Sequence, residues 1–313
     1  MTNEPTPDSP ADTDSGAPQR CGFVAVIGAP NAGKSTLVNQ LVGAKISIVT
    51  PKAQTTRTRV RGVAMRGDTQ VVLIDTPGIF EPRKRIDRAM VAAAWEGSME
   101  ADRVLLVVDA RRGMTEAVSA LVERLAELGR PCSLALNKVD AMEREKLLGL
   151  AARFNEAFPF ERIFMISALT GSGCDDVLQS LADSLPQGPW MFDPDDLSDL
   201  PQRLLAAEIT REKIFLQLHE ELPYASAVHT DRWEEKPDGS IRIEQTIFIE
   251  RDTQRAIMLG KGGARIKAIG QAARTELSSL LEQPVHLFLH VKVNERLWED
   301  RESYSTWGLD YNA

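Results

Sequence analysis

Gly28-Ala29-Pro30-Asn31-Ala32-Gly33-Lys34-Ser35 decides how the rest of the chain is read. Two glycines with four residues between them, followed by Lys and Ser, let a backbone wrap closely around phosphate oxygens. The stretch follows an apolar run, Gly22–Ile27, and precedes an apolar helical stretch, Thr36–Leu41. The first amides of such a helix present unpaired N–H groups and a positive dipole end to an anion. Lys34 is expected to reach the β- and γ-phosphates, and the Ser35 hydroxyl to bind Mg²⁺. Gly28, Asn31, Ala32, Gly33, Lys34, Ser35 and Thr36 are the candidate phosphate-binding residues. Placement between strand and helix separates this loop from an ordinary Gly-rich turn.

Further short apolar runs lie at Val71–Ile74, Val104–Val108, Ser133–Leu136 and Ile163–Ile166. Unbroken runs of this length suit strands covered on both faces. Helical patterns such as Thr115–Leu128 and Asp176–Leu185 alternate with them, so the expected fold is α/β with a mostly parallel sheet. Ligands of such sheets bind at the carboxyl ends of the strands. Asp75-Thr76-Pro77-Gly78 sits at one such end. Asp75 is placed to hold Mg²⁺ through water, and the Gly78 amide to approach the γ-phosphate. Lys45–Arg61, which contains Gln54-Thr55-Thr56-Arg57, has few large apolar residues and is expected to be mobile. A threonine there can close over the nucleotide and give its hydroxyl to Mg²⁺.

Asn137-Lys138-Val139-Asp140 ends another run. Guanine carries an N1–H and an amine on one edge, and a carboxylate accepts from both, whereas adenine offers no such donor pair. Asp140 is the candidate for that role. Asn137 either binds the ring edge or ties loops together, and the Lys138 stem covers the base. Ser167-Ala168-Leu169 follows the last run, where a backbone amide can meet the guanine oxygen.

Pro186–Pro201 is rich in proline and acidic residues and reads as a linker. Beyond it come a helix, Gln202–Leu218, and an extended segment, Ala225–Glu235. A Lys236-Pro237-Asp238-Gly239 turn leads to a strand through Ile241, Ile243, Ile247 and Ile249. Two helices flank Gly260–Gly263, and a last strand alternates through Val285–Val293. The G-x-x-G turn lets a nucleic-acid backbone come close. Between Arg251 and Lys292 seven Lys/Arg stand against three Asp/Glu, in a chain of net charge −8. Gly260, Lys261, Gly262, Gly263, Arg265 and Lys267 are the candidate RNA-binding residues. His286 and His290 fall on a strand and read as ordinary strand residues.

The charge of −8 argues against a protein that coats nucleic acid everywhere. Three cysteines without paired spacing read as reduced thiols, as in a cytoplasmic protein. No apolar run reaches membrane-spanning length. Residues 1–20 read as a disordered tail, and 294–313 as an aromatic C-terminal tail that packs on the protein, with a partner as the alternative.

The five motifs, in order, resemble those of the translation-factor-related P-loop GTPases and, within them, the Era family of bacterial ribosome-assembly GTPases. That resemblance covers 21–185, and a second one covers 202–293, which is similar to the type II-like KH domain of that family. It implies GTP and GDP as ligands with Mg²⁺, and hydrolysis served by Lys34, Thr56 and Gly78. Ser35, Thr56 and Asp75 are then the metal residues, with Thr55 the alternative register for Thr56. Ile79 stands where many GTPases carry a glutamine that orients water, which implies slow intrinsic hydrolysis. Asn31 occupies the position that helps bind K⁺ in related proteins; a loop-stabilising amide is the alternative. The implied partners are the 3′ end of small-subunit ribosomal RNA and the small ribosomal subunit. The implied setting is a cytoplasmic monomer, in part loosely associated with the inner face of the cell membrane.

Overall fold

A computed structural model describes residues 18–52, 54–218 and 221–313. The expected tail over 1–20 therefore lies mostly outside the described residues, and its end differs, because Arg20 already belongs to the first strand.

The first domain has a six-stranded sheet in the order β2-β3-β1-β4-β5-β6. Its strands are β1 (Arg20–Ile27), β2 (Val60–Arg66), β3 (Thr69–Asp75), β4 (Arg103–Asp109), β5 (Cys132–Asn137) and β6 (Ile163–Ile166). All neighbours are parallel except β2 with β3. Both faces are covered, as the unbroken apolar runs require. Helices α1 (Lys34–Val42) and α5 (Cys174–Ser184) pack Leu37, Val38, Val177 and Leu181 on one face. On the other face α2 (Arg85–Glu100), α3 (Glu116–Leu128) and α4 (Arg144–Ala157) pack Trp95, Leu121 and Phe154. The edge strand β2 and the helices α2 and α4 add to the elements expected from sequence.

The stretch 186–201 does not hang free as a linker. Gln187 bridges to Arg20 and Ser198 to Gly62. The buried Gln70 side-chain oxygen accepts from the amides of Met191 and Phe192 at 2.9 and 3.1 Å. Trp190 donates its indole N–H to the Asp68 carbonyl at 3.1 Å. These bonds strap the connection across the first domain.

The second domain runs α6 (Gln202–Gln217), β7 (Ser226–Glu235), β8 (Ile241–Ile249), α7 (Asp252–Leu259), α8 (Ala264–Leu280) and β9 (Val285–Val293). Its sheet order is β7-β8-β9, with β7 antiparallel and β9 parallel to β8. Ile214, Ile247, Met258 and Ile269 form the core between sheet and helices. His286 and His290 lie on the exposed face of β9.

The C-terminal residues join the two domains. Leu297, Tyr304, Trp307 and Leu309 are buried against Ile86, Ala89, Met90 and Ala93 of α2 and against Ala227 of β7. Tyr304 donates its hydroxyl to the Trp298 carbonyl at 3.1 Å. A short helix, α9 (Arg301–Thr306), presents these rings. Trp307 is 5% exposed, so Trp307→Ala leaves a cavity at the domain junction. Urea unfolding is expected to record a loss of about 3 kcal/mol. A loss no larger than that of an exposed surface change would contradict this packing role.

Candidate functional site: a phosphate loop, its switch segment and a G-x-x-G loop

The loop between β1 and α1 has the shape its glycines permit. Gly28 has φ 151° and Gly33 φ 99°. A β-carbon on Gly28 would lie 2.2 Å from the Val107 carbonyl oxygen, so no other residue fits. The Lys34 ammonium is 5% exposed and donates to the carbonyls of Gly28 and Ala29 at 3.2 Å each. Burial pulls its pKa down to about 8, against the attraction of Asp75. Asn31, Gly33, Lys34, Ser35, Thr36, Thr56 and Gly78 line one cavity. Ala32 is buried behind it. Gly78 is pressed against Pro30, where an added β-carbon would come within 2.9 Å of the Pro30 backbone.

Asp75 is fully buried at the end of β3, and neither carboxylate oxygen has a hydrogen-bond partner among the described residues. Burial pushes its pKa up, against the opposing pull of Ser35, Lys34 and Ser47. A buried carboxylate left without partners is costly unless a ligand completes it. Above it the Ser35 and Thr56 hydroxyls are 2.8 Å apart. Thr55 lines the same cavity, but its hydroxyl is shared with Thr50 and the Lys52 carbonyl. An all-oxygen set of one carboxylate and two hydroxyls suits Mg²⁺. Ile79, 7% exposed, packs among Ala25, Ile27 and Trp95, so it reaches no water at the cavity.

The segment Lys45–Arg61 differs from the expected mobile loop. Ile46 and Val60 join the core of the first domain and Ile48 is buried, and the second domain holds the stretch between by polar contacts. Glu212 accepts from the Val49 amide at 2.8 Å and from Lys45 at 2.7 Å. Glu276 also pairs with Lys45, and Lys213 pairs with both glutamates. Arg211 donates to the Thr55 carbonyl at 2.6 Å, and Lys52 to the Leu218 carbonyl. Arg57 donates to the carbonyls of Ser226 and Tyr224 at 2.8 and 3.0 Å, and stacks 4.8 Å over Trp298. Burial, then the charge of Arg211, pulls the Arg57 pKa down to about 9, so it stays charged at neutral pH. Asn31 joins this segment too, donating to the Pro51 carbonyl at 3.1 Å.

At the end of β5, Asn137 ties loops together. It donates to the Ala32 carbonyl at 2.9 Å and accepts from the amides of Lys138 and Ala168 at 2.8 and 2.9 Å. The Ser167 amide meets the Ser172 carbonyl. Both amides of the Ser167-Ala168 pair are thus held within the protein, where a free donor for the base had been expected. Lys138 donates to the Asn31 carbonyl at 2.6 Å and to Asp109 at 2.9 Å. Burial alone would raise the Asp109 pKa, but Arg111 and Lys138 hold it down to about 2. Asp140 is exposed and lines a groove with Ser167.

The G-x-x-G loop joins α7 to α8. Gly260, Gly262 and Gly263 have φ of 72°, 60° and 78°. A β-carbon on Gly260 would lie 2.7 Å from that of Arg265, so a glycine lets the loop pack against the start of α8. Gly262 and Gly263 face open space. Lys261, Arg265 and Lys267 are exposed beside them. Arg265 also donates to the Ile257 carbonyl at 2.7 Å, closing the end of α7. The contacts of Arg211 and Glu212 to the switch segment, and of Arg57 to the second domain, had no signal in the sequence, because their partners are backbone groups of another domain.

Known proteins share this arrangement. Residues 23–138 match the family described as 50S ribosome-binding GTPase, and 221–297 match the KH domain. The chain is 60% identical over 305 residues to GTPase Era of Rhizobium meliloti (strain 1021), covering 97% of each. It is 58% identical over 304 residues to GTPase Era of Brucella suis biovar 1, covering 97% of this chain and 98% of that one. Among solved structures, Era in complex with MgGDPNP and nucleotides 1506–1542 of 16S ribosomal RNA superposes with a TM-score of 0.89. That match has 36% identity and covers 93% of this chain and 99% of the other. An Aquifex aeolicus Era variant bound to GDP and AlF4⁻ gives a TM-score of 0.88 at the same identity and coverage. With its phosphate loop, its parallel sheet and its KH domain, the chain belongs to the Era family of GTPases.

Proposed function

We propose that the protein is a GTP-hydrolysing switch that binds the 3′ end of small-subunit ribosomal RNA through its KH domain and assists assembly of the small subunit. One observation carries this reading. The Thr56 hydroxyl reaches Ser35 in the phosphate cavity while its neighbours Thr55 and Arg57 are bonded to the KH side of the molecule. The relative that carries 16S RNA supports the choice of ligand.

In this reading Lys34 and the amides from Gly28 to Thr36 hold the β- and γ-phosphates. Ser35, Thr56 and Asp75 would hold Mg²⁺, which neutralises charge developing on the phosphate oxygens. Lys34, Thr56 and the Gly78 amide act on the transferring group. The buried, apolar Ile79 cannot orient the attacking water, so slow intrinsic turnover is expected. The Asp140 carboxylate accepts from guanine N1–H and amine, and the Lys138 stem covers the ring. Asn31, within the phosphate loop, is the residue we assign to K⁺, through its side-chain oxygen. Gly260–Gly263 clamp the RNA backbone, with Lys261, Arg265 and Lys267 on its phosphates. No helix among the described residues is long and apolar enough to cross a membrane. The proposed ligand puts the protein's work in the cytoplasm, and we take it to act as a monomer with any membrane contact peripheral.

Three measurements check this. Asp140→Asn is expected to move preference from guanosine toward xanthosine triphosphate by about a hundredfold, since two charge-assisted hydrogen bonds are at stake. Competition binding reads that ratio, and an unchanged preference rejects the base assignment. Gly262→Asp is expected to weaken binding of a 3′-terminal ribosomal RNA oligomer about tenfold at low salt, with basal GTP hydrolysis unchanged. Equal affinity would remove the G-x-x-G loop from the interface. Wild-type affinity for the same oligomer is expected to differ between a GTP analogue and GDP; identical values would make this a constitutive RNA binder.

A further inference from the structure

The geometry points to Arg211, in the KH domain, as a positioning residue for the switch threonine in GTP hydrolysis. This deepens the reading of Thr56 given above and rests on it. Arg211 is 2% exposed. Its guanidinium donates through Nε to Glu208 at 2.7 Å, and through Nη2 to both Glu208 and the Thr55 carbonyl. It lies 5.4 Å from the centre of the Phe215 ring. A planar fork held on its carboxylate and ring sides has little freedom left at the third partner.

That third partner is the carbonyl of the peptide linking Thr55 to Thr56. A peptide unit is planar, so fixing its C=O also fixes the direction of the Thr56 N–H and Cα. The Thr56 hydroxyl therefore inherits its place, 2.8 Å from that of Ser35, from a bond made by the other domain. Arg57 restrains the next residue through the carbonyls of Ser226 and Tyr224. Stability alone does not account for Arg211. It is buried beside a second buried cation, Arg57, and its Nη1 has no hydrogen-bond partner among the described residues. An apolar residue would fill such a position without those penalties.

The test uses the full chain and Arg211→Lys, which keeps the charge but loses the fork, beside Arg211→Ala. Single-turnover GTP hydrolysis is expected to fall about tenfold in Arg211→Lys and further in Arg211→Ala. Affinity for GDP is expected to stay within about twofold, since GDP makes no demand on Thr56. Glu208→Gln, which loosens the fork, should give an intermediate rate. Thr56→Ala should be slow, and adding Arg211→Lys to it should change nothing more. The inference is overturned if Arg211→Lys hydrolyses at the wild-type rate, if GDP affinity drops in parallel with the rate, or if its effect adds to that of Thr56→Ala. Wild-type turnover in Thr56→Ala would instead reject the switch reading itself.

Discussion

Three consecutive residues, Thr55, Thr56 and Arg57, are held from two sides at once. The middle one turns its hydroxyl toward the phosphate loop. The outer two are bonded to the KH domain through a carbonyl and a guanidinium. An extended chain sends alternate groups to opposite sides, so one short segment can serve two domains. Moving it for either partner disturbs the other, which is the physical content of coupling between two sites. Apart from the stacking of Arg57 on Trp298, the contacts are polar. A segment held by hydrogen bonds and ion pairs can be released at modest cost, whereas one buried as apolar core cannot.

The rest of the domain junction gives that segment a fixed frame. The strap over 186–201 is bonded to β1, β2 and the buried Gln70, so the KH domain starts from a defined point. The C-terminal rings wedge between α2 and β7. Trp298 reaches from that wedge to Arg57, bringing the tail into contact with the switch segment. The Lys45, Glu212, Lys213 and Glu276 network closes the opposite side. An ionic cluster of this kind adds direction more than strength, because partly exposed pairs are screened by water.

Local chemistry was readable in the sequence. The phosphate loop was legible because the backbone at Gly28 and Gly33 favours glycine, and because Lys followed by Ser at that spacing is the pattern of phosphate-binding loops. The buried strands were legible because parallel strands covered twice leave unbroken apolar runs. The KH order followed from alternation and from the Gly260–Gly263 turn. β2 escaped notice because an edge strand has a mixed pattern, and α2 because its apolar face meets the tail as well as the sheet. The restraint on 45–61 could not be read at all. Its composition says loop, and the second-domain residues Arg211 and Glu212 that hold it lie more than 150 positions away and bond to its backbone. Asn137 kept two roles open in sequence, and its hydrogen bonds place it as the tie between three loops.

Hydrogen exchange on the full chain, compared between GDP and a GTP analogue with Mg²⁺, tests the shared grip most directly. Protection is predicted to change together in 45–61, in the contacting turns of α6 and at the start of β7, while the far strands stay the same. A change confined to 45–61, with α6 and β7 unaffected, would mean that the two domains do not share the segment.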